Sequence, residues 1–146
     1  MKSVKDYYNN LGWTKHKGKY IDTVTFSSDK GIRYKELCAK KLKEKIGESN
    51  FLLDVACGAM PFDSYAKKQL CIDFSSTAIR EAKKNKPGDF FVLGDITCLP
   101  LKDNSVDDSL SLHTIYHVHK DKQHIAISEL KRVTKTLANT RHSLIF

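Results

Sequence analysis

Apolar and polar positions along this chain follow two different periods. Short apolar runs bounded by turn residues predict buried strands, and apolar residues spaced three and four apart predict helices. The predicted strands cover residues 51–55, 70–72, 90–93, 106–112 and 143–146. The predicted helices cover residues 31–46, 62–68, 76–85 and 120–135. Because strands and helices alternate, the pattern predicts an α/β fold with a parallel sheet and flanking helices.

The first 30 residues lack a sustained period. Aromatic residues are scattered there among Gly, Asn, Lys and Ser, and we expect a short helix followed by irregular structure. The chain contains neither internal repeats nor a linker, so we expect one domain over residues 1–146. A chain of this length buries about 68–70% of the surface that its unfolded form exposes, which is enough for one core.

Composition indicates the cellular location that we expect and the classes of site that we do not expect. No apolar run approaches the roughly 18 residues that cross a bilayer, and the N-terminus lacks the apolar core of a secretory signal. We therefore expect a cytoplasmic protein without membrane insertion. The four cysteines stand outside C-x-x-C pairs, so we expect reduced thiols and no metal site.

The net charge of +8 is unevenly distributed. Twelve of the 25 Lys and Arg residues lie within the first 50 positions. Such a segment could bind the phosphate groups of a nucleic acid. Charge and apolar positions are interleaved over residues 40–46, however, as on a solvated helix face. We favour the solvated face and do not expect a nucleic-acid partner.

Three carboxylates stand at the ends of predicted strands. Asp54 ends an apolar run that continues into Ala-Cys-Gly-Ala, while Asp73 and Asp95 close the next two strands. Ligands of an open parallel sheet bind outside the carboxyl ends of its strands, so these acids are placed for a cofactor. A carboxylate at Asp73 can accept hydrogen bonds from both hydroxyls of a ribose. The structural alternative at Asp54 and Asp95 is a turn or a cap.

These segments resemble the class I S-adenosylmethionine-dependent methyltransferases over roughly residues 31–135. LDVACGA, CIDFS and GDITCLPLKDNSVD are similar to the first three family motifs, and SLHTIYHV with ELKRVTK to the fourth strand, its active-site loop and the next helix. The resemblance implies a Rossmann-like sheet, S-adenosyl-L-methionine as cofactor and methyl transfer to a small-molecule or lipid-like acceptor. The segments Tyr7-Tyr8-Asn9, Gly12-Trp13 and Tyr20-Ile-Asp-Thr23 are similar to a lead-in that covers the cofactor in some small-molecule members.

The resemblance also implies roles for individual residues. Asp54 and the turn after it would meet the methionine part of the cofactor, Asp73 the ribose, and Asp95 the adenine. Tyr116 and His117 are candidates for a catalytic base, with a structural role for His117 as the alternative. Phe74 would lie against the adenine or belong to the core. The full set of expected cofactor contacts is Asp54, Ala56, Cys57, Gly58, Ala59, Asp73, Phe74, Asp95, Ile96 and His113.

Two features depart from the family pattern. Ala56 and Met60 stand where the family often has glycines; we expect Ala56 to be tolerated with φ below zero, whereas Met60 alters the start of the next helix. After Lys135 the expected Gly-rich turn and closing strand hairpin are missing, so about five strands fit. We therefore expect a C-terminally truncated domain with an open sheet edge that a second copy or a partner chain could cover.

Three alternatives remain open at this point. The short C-terminus is compatible with a non-catalytic, truncated S-adenosylmethionine-binding or interaction domain. A nucleic-acid methyltransferase is less favoured, because residues 113–116 do not form the usual Asn/Asp-Pro-Pro-Tyr type tetrapeptide. A nicotinamide-dependent dehydrogenase is disfavoured because no G-x-G-x-x-G follows the first strand.

Overall fold

The computed structural model describes residues 3–22, 29–47, 49–135 and 143–145. In chain order the elements are α1 (Val4–Tyr7), a π-helical turn (Tyr8–Gly12), β1 (Lys15–His16), β2 (Lys19–Tyr20), α2 (Asp29–Ile46), β3 (Phe51–Val55), β4 (Lys68–Asp73), α3 (Ser76–Asn85), β5 (Phe90–Leu93), β6 (Asp108–Ser111), a 3-10 turn (Ile115–His117), α4 (Lys120–Val133) and β7 (Ser143–Ile145). Among the described residues, no helix has the length and apolar character needed to span a membrane.

A five-stranded parallel sheet forms the centre of the molecule. Its strand order is β5-β4-β3-β6-β7, so β3 lies in the middle and the chain crosses over to reach β6. The predicted α/β fold with a Rossmann-like parallel sheet is confirmed. Predicted and observed bounds agree for β3, α3 and β5. Of the predicted last strand, Phe146 lies outside the described residues.

Helices cover the two faces of this sheet because the side chains of β3 alternate between them. Leu53 and Val55 pack with Leu130 and Val133 of α4 on one face. Leu52 packs with residues of α2 on the other. Burial of each such aliphatic side chain contributes roughly 1.5–3 kcal/mol. The middle strand is thus held on both sides, and its carboxyl end is fixed in place.

The helix predicted over residues 62–68 is wrong. The chain passes from β3 to β4 without a helix, through residues 56–67. The Phe62 N–H donates to the Asp54 carboxylate at 2.7 Å, and the Gln69 amide donates to the Phe62 carbonyl at 2.8 Å. The Lys67 N–H donates to the Ser49 carbonyl at 2.9 Å, and the Lys68 N–H donates to the Asn50 carbonyl at 3.1 Å. A helix over residues 62–68 would pair the Phe62 carbonyl and these two N–H groups internally, whereas their partners here lie outside the segment.

The N-terminal segment holds more regular structure than the sequence predicted. The short helix is confirmed as α1, which Ser3 caps by accepting from the Asp6 N–H. The expected irregular stretch contains an antiparallel hairpin of β1 and β2. Lys17 and Gly18 both have positive φ, as a tight two-residue hairpin turn requires. Thr23, part of the expected cover, lies outside the described residues.

Candidate active site

A cavity of about 590 Å³ lies at the carboxyl ends of β3, β4, β5 and β6. This volume is within the usual range for small-molecule sites. One wall, here called the strand-end wall, consists of the turns after these strands. The opposite wall, here called the N-terminal wall, includes Val4, Tyr8, Trp13 and Asp22.

The turn after β3 has a left-handed backbone at two positions. Ala56 has φ of 58° and Gly58 has φ of 61°. The expectation of φ below zero at Ala56 is therefore wrong: the Ala56 and Cys57 N–H groups both donate to the Ile72 carbonyl, which bends the chain towards β4. A Cβ on Gly58 would lie 2.6 Å from Cζ2 of Trp13, so only glycine fits beneath the indole.

Asp73 joins this turn to the end of β4. Its carboxylate accepts from the Gly58 N–H at 2.9 Å and from the Ser75 N–H at 2.8 Å. Burial raises the pKa of Asp73, while these backbone donors and the Phe74 N–H oppose the rise. A carboxylate has about four lone-pair sites, so bound backbone donors still leave acceptor capacity towards the cavity.

Asp54 is the most deeply buried acid of the cavity wall. Burial raises its pKa to about 7, with smaller contributions from Asp73 and Asp89, while the hydrogen bond from the Phe62 N–H opposes the rise. A positively charged group arriving nearby would favour the ionised form. Asp54 thus combines a structural role in the β3 to β4 connection with a place on the cavity wall.

Asp95 has the capping role that the sequence left open, and it also lines the cavity. Its Oδ1 accepts from the Thr97 N–H at 2.8 Å and from the Thr97 hydroxyl at 2.7 Å. Ile96 and Phe74 lie on the same cavity. Ala59 does not: it is fully buried, and its carbonyl accepts from Asn85. Of the ten expected cofactor contacts, the other nine line the cavity.

The loop after β6 brings the predicted catalytic candidates to the cavity. His113 has φ of 55°, and the 3-10 turn that follows presents Tyr116 and His117. The Tyr8 hydroxyl lies 3.3 Å from Nε2 of His117. Burial lowers the pKa of His117, and burial together with Asp22 raises the pKa of Tyr8. His117 is therefore a neutral imidazole at neutral pH.

Two hydrogen bonds from α3 hold the N-terminal segment in place, one at Asn9 and one at Tyr20. The Thr77 hydroxyl of α3 donates to the Asn9 carbonyl at 2.7 Å, and Asn85 donates to the Tyr20 hydroxyl at 2.8 Å. Tyr8 stacks on Trp13 with 5.5 Å between ring centroids. The sequence suggested a cover in this region, but it carried no signal for the pairing of Tyr8 with His117, which are 109 positions apart.

Comparison with known proteins agrees with this geometry. A family model described as a methyltransferase domain matches residues 53–137, which is more than half of the chain and includes the strand-end wall. The chain belongs to this methyltransferase domain family. Its predicted membership is thereby confirmed.

Two curated relatives of this methyltransferase domain are demethylmenaquinone methyltransferases. The protein from Renibacterium salmoninarum is 33% identical over 88 residues, covering 58% of this chain and 36% of the relative. The protein from Paenarthrobacter aurescens is 29% identical over 107 residues, covering 70% of this chain and 41% of the relative. The chain thus spans well under half the length of these relatives.

Solved structures show the same fold. Magnesium protoporphyrin IX methyltransferase from Synechocystis, solved with bound SAM, superposes with a TM-score of 0.68 at 17% identity, covering 90% of this chain and 70% of that one. A protein from Haloferax volcanii, solved in complex with the Trm112 methyltransferase activator, has a TM-score of 0.57 at 20% identity, with coverage of 78% and 54%.

The charge on the cavity wall of this methyltransferase domain is opposite to the charge of the whole chain. The described lining contains five carboxylates, those of Asp22, Glu36, Asp54, Asp73 and Asp95, and the single lysine Lys122. The chain as a whole carries a net charge of +8. A cavity lined by acids favours a cationic ligand.

Proposed function

We propose that this domain transfers a methyl group from S-adenosylmethionine to a small organic acceptor. The observation that carries the proposal is the Asp73 carboxylate, held beside the Gly58 turn at the carboxyl end of the parallel sheet. Three backbone donors occupy Asp73, so about one of its four lone-pair sites remains for a ribose hydroxyl. A hydrogen bond of a carboxylate to such a hydroxyl contributes roughly 1.5–3 kcal/mol.

The residues present fit the rest of this cofactor as well. The left-handed turn places the Gly58 backbone on the cavity, with the Trp13 indole packed against its Cα. Phe74 and Ile96 offer apolar contacts for the adenine, with Asp95 as acceptor for its amino group. Asp54 and the turn backbone would hold the methionine end, and His113 would lie near the sulfonium.

When bound, the cofactor supplies a methyl group already activated by a positive sulfur. The protein then has to align the acceptor behind that carbon, and such alignment can lower a barrier by about 7–11 kcal/mol. The N-terminal wall would limit the freedom of the acceptor in the cavity. His117, as a neutral imidazole, would take a proton from the acceptor.

A small apolar acceptor suits the remaining part of the cavity. Val4, Met60, Leu112 and Val118 line it together with the ring of Tyr116. Demethylmenaquinone methyltransferases and a porphyrin methyltransferase, by their names, act on small organic molecules. We extend that acceptor class to this chain.

Methyl transfer would be measured with S-adenosylmethionine labelled in the methyl group and a set of phenol and quinol acceptors. Formation of S-adenosylhomocysteine together with a labelled organic product supports the proposal. Cofactor binding without turnover of any acceptor would favour the non-catalytic alternative. A folded protein that does not bind the cofactor contradicts both.

We also propose that a second copy or a partner chain covers an edge of the sheet. The edge in question is the one beside β7, where the sequence lacks the closing strand hairpin. Support comes from the strand order of the described residues, in which β7 is an outer strand paired with β6. An outer strand offers backbone groups for pairing with another chain. Sedimentation of the purified protein should show a dimer or a concentration-dependent assembly. A strict monomer would leave only a different chain as the partner.

A cytoplasmic location completes the proposal. The four cysteines are free thiols, as is usual in reducing compartments. Cell fractionation with an antibody against the domain tests it, and recovery with a membrane or secreted fraction would contradict it.

A further inference from the structure

Two residues of the N-terminal segment meet His117 in a chain of hydrogen bonds. The Tyr8 hydroxyl lies 3.3 Å from Nε2 of His117. Asp22 lines the same cavity, and the pKa of Tyr8 is raised by burial first and then by the charge of Asp22 and a hydrogen bond to it. The rings of Tyr8 and His117 meet edge to face, with 5.7 Å between their centroids. Tyr8 is 9% exposed and stacks on Trp13, so its hydroxyl is fixed in position.

The direction of each hydrogen bond follows from the number of protons. A phenol has one proton, and a carboxylate only accepts. The Tyr8 proton therefore goes to Asp22, and the Tyr8 oxygen must accept from Nε2–H of His117. A neutral imidazole with its proton on Nε2 keeps the lone pair on Nδ1.

The geometry points to an Asp22–Tyr8–His117 relay in which the N-terminal segment sets the tautomer of His117 and leaves Nδ1 as the base for the acceptor. Tyr8 and Asp22 are positioning residues, since they act through His117. This inference rests on the proposed methyl transfer, and it extends it by restricting the acceptor to a molecule whose reacting atom carries a proton, such as a hydroxyl group.

In the proposed methyl transfer, each bond that forms is matched by a bond that breaks. The O–H bond of the acceptor breaks, its proton joins Nδ1 of His117, and its electron pair forms the new bond from oxygen to the methyl carbon. The bond between that carbon and sulfur breaks, with its pair remaining on sulfur. The imidazolium that results lies in the relay whose far end is the Asp22 carboxylate, which favours the charged form.

Other titratable groups line the same cavity as His117. Tyr116 packs against it with 4.4 Å between ring centroids, and burial followed by Asp22 raises the pKa of Tyr116, so it stays protonated at neutral pH. His119 and Lys122 lie on the same cavity wall. Asp22 is the charged group that acts on the pKa of His117, Tyr8 and Tyr116 alike.

Long-range proton–nitrogen NMR correlation of the full chain at pH 7.5 reads the tautomer directly, with the His117 signals assigned by their loss in His117→Gln. We expect a protonated Nε2 and an unprotonated Nδ1 in the parent protein. In Asp22→Asn the amide can donate to the Tyr8 oxygen as well as accept from it, so the Tyr8 proton is free to turn towards Nε2. The ratio of the two tautomers should therefore shift about tenfold towards Nδ1–H. The pKa of His117 should fall in that variant, because the carboxylate that raises it is gone.

Tyr8→Phe keeps the ring and removes the hydroxyl, so His117 should become a mixture of tautomers. Tyr7→Phe is the matched control: its ring meets Tyr8 at 5.0 Å, and the tautomer should not change. A proton on Nδ1 in the parent protein, or the parent tautomer ratio in both Asp22→Asn and Tyr8→Phe, overturns the relay. If Tyr8→Phe fails to fold, the tautomer of His117 in the parent protein and in Asp22→Asn still tests the relay.

Calorimetric titration of the same proteins with S-adenosylmethionine separates the two proposals. Absence of binding in the parent protein contradicts the proposed function, whereas an unexpected tautomer in a protein that binds the cofactor contradicts the relay alone.

Discussion

The two walls of the cavity are built in different ways. On the strand-end wall, carboxylates hold nearby backbone N–H groups: Asp73 binds Gly58 and Ser75, and Asp54 binds Phe62. On the N-terminal wall, side chains contact residues far away in sequence, as Tyr8 does with His117 and Thr77 with Asn9. The strand-end wall is formed by the turns of the central sheet, whereas the N-terminal wall is formed by a separate segment that packs against them.

Because of this difference, we expect one wall to act mainly on cofactor binding and the other mainly on the reaction of the acceptor. Substitutions on the strand-end wall should change cofactor affinity and fold stability together, because the same carboxylates do both. Substitutions on the N-terminal wall should act more strongly on the acceptor side than on cofactor affinity.

The largest expected effect comes from Asp73. Asp73→Ala removes the ribose acceptor, and the affinity for S-adenosylmethionine should fall about 100-fold or more, measured by calorimetry. Asp95→Ala is the matched control, an exposed acid on the same cavity, and should cost less than about tenfold. Equal losses for the two variants would show that Asp73 has no special part in binding.

Gly58→Ala should produce the next largest effect. The new Cβ meets Trp13 and is forced into a left-handed backbone, which should lower the free energy of unfolding by about 2–3 kcal/mol. Urea denaturation measures this. In a Trp13→Ala background the same change should cost only the backbone part, about 1–2 kcal/mol. If the cost is the same with and without Trp13, the two residues are not in contact.

The sequence predicted the strand-end wall well because its signals are local. The bounds of β3 and α3 agree with prediction, and Ser75, directly before α3, caps it by accepting from the Ala78 N–H. The helix over residues 62–68 was predicted wrongly because Ser49 and Gln69, outside that segment, take the Lys67 N–H and the Phe62 carbonyl. The pairing of Tyr8 with His117 could not be predicted, since no local pattern specifies which side chain meets one 109 positions away.

Asp54 should couple cofactor binding to pH. With its pKa at about 7, Asp54 is largely protonated below that pH in the free protein, and a cationic ligand favours the ionised form. Binding should therefore release a proton below pH 7, and the affinity should rise with pH by at most about tenfold per unit and then level off. Calorimetry in buffers of different ionisation enthalpy measures the release.

Asp54→Asn supplies the control for this coupling. It should remove the proton release while retaining an acceptor for the Phe62 N–H. Without cofactor, Asp54 should also lower the free energy of unfolding as pH rises from about 4 to about 7, because the unfolded chain ionises this group first. Proton release that persists in Asp54→Asn would assign the coupling to another group.

Ala56→Gly should give the smallest effect, and in the opposite direction. Ala56 has a left-handed backbone that glycine adopts without strain, so the variant should gain about 0.5–1 kcal/mol after the entropy cost of glycine in the unfolded chain. Urea denaturation beside the parent protein measures the gain. A loss of stability would mean that the Ala56 methyl group packs usefully.

Calorimetric titration of the parent protein with S-adenosylmethionine measures whether the cavity binds this cofactor. We expect saturable binding at a single site, with about 100-fold or greater loss of affinity in Asp73→Ala while circular dichroism shows that the variant remains folded. A folded parent protein that gives no saturable heat with S-adenosylmethionine would contradict cofactor binding at this site.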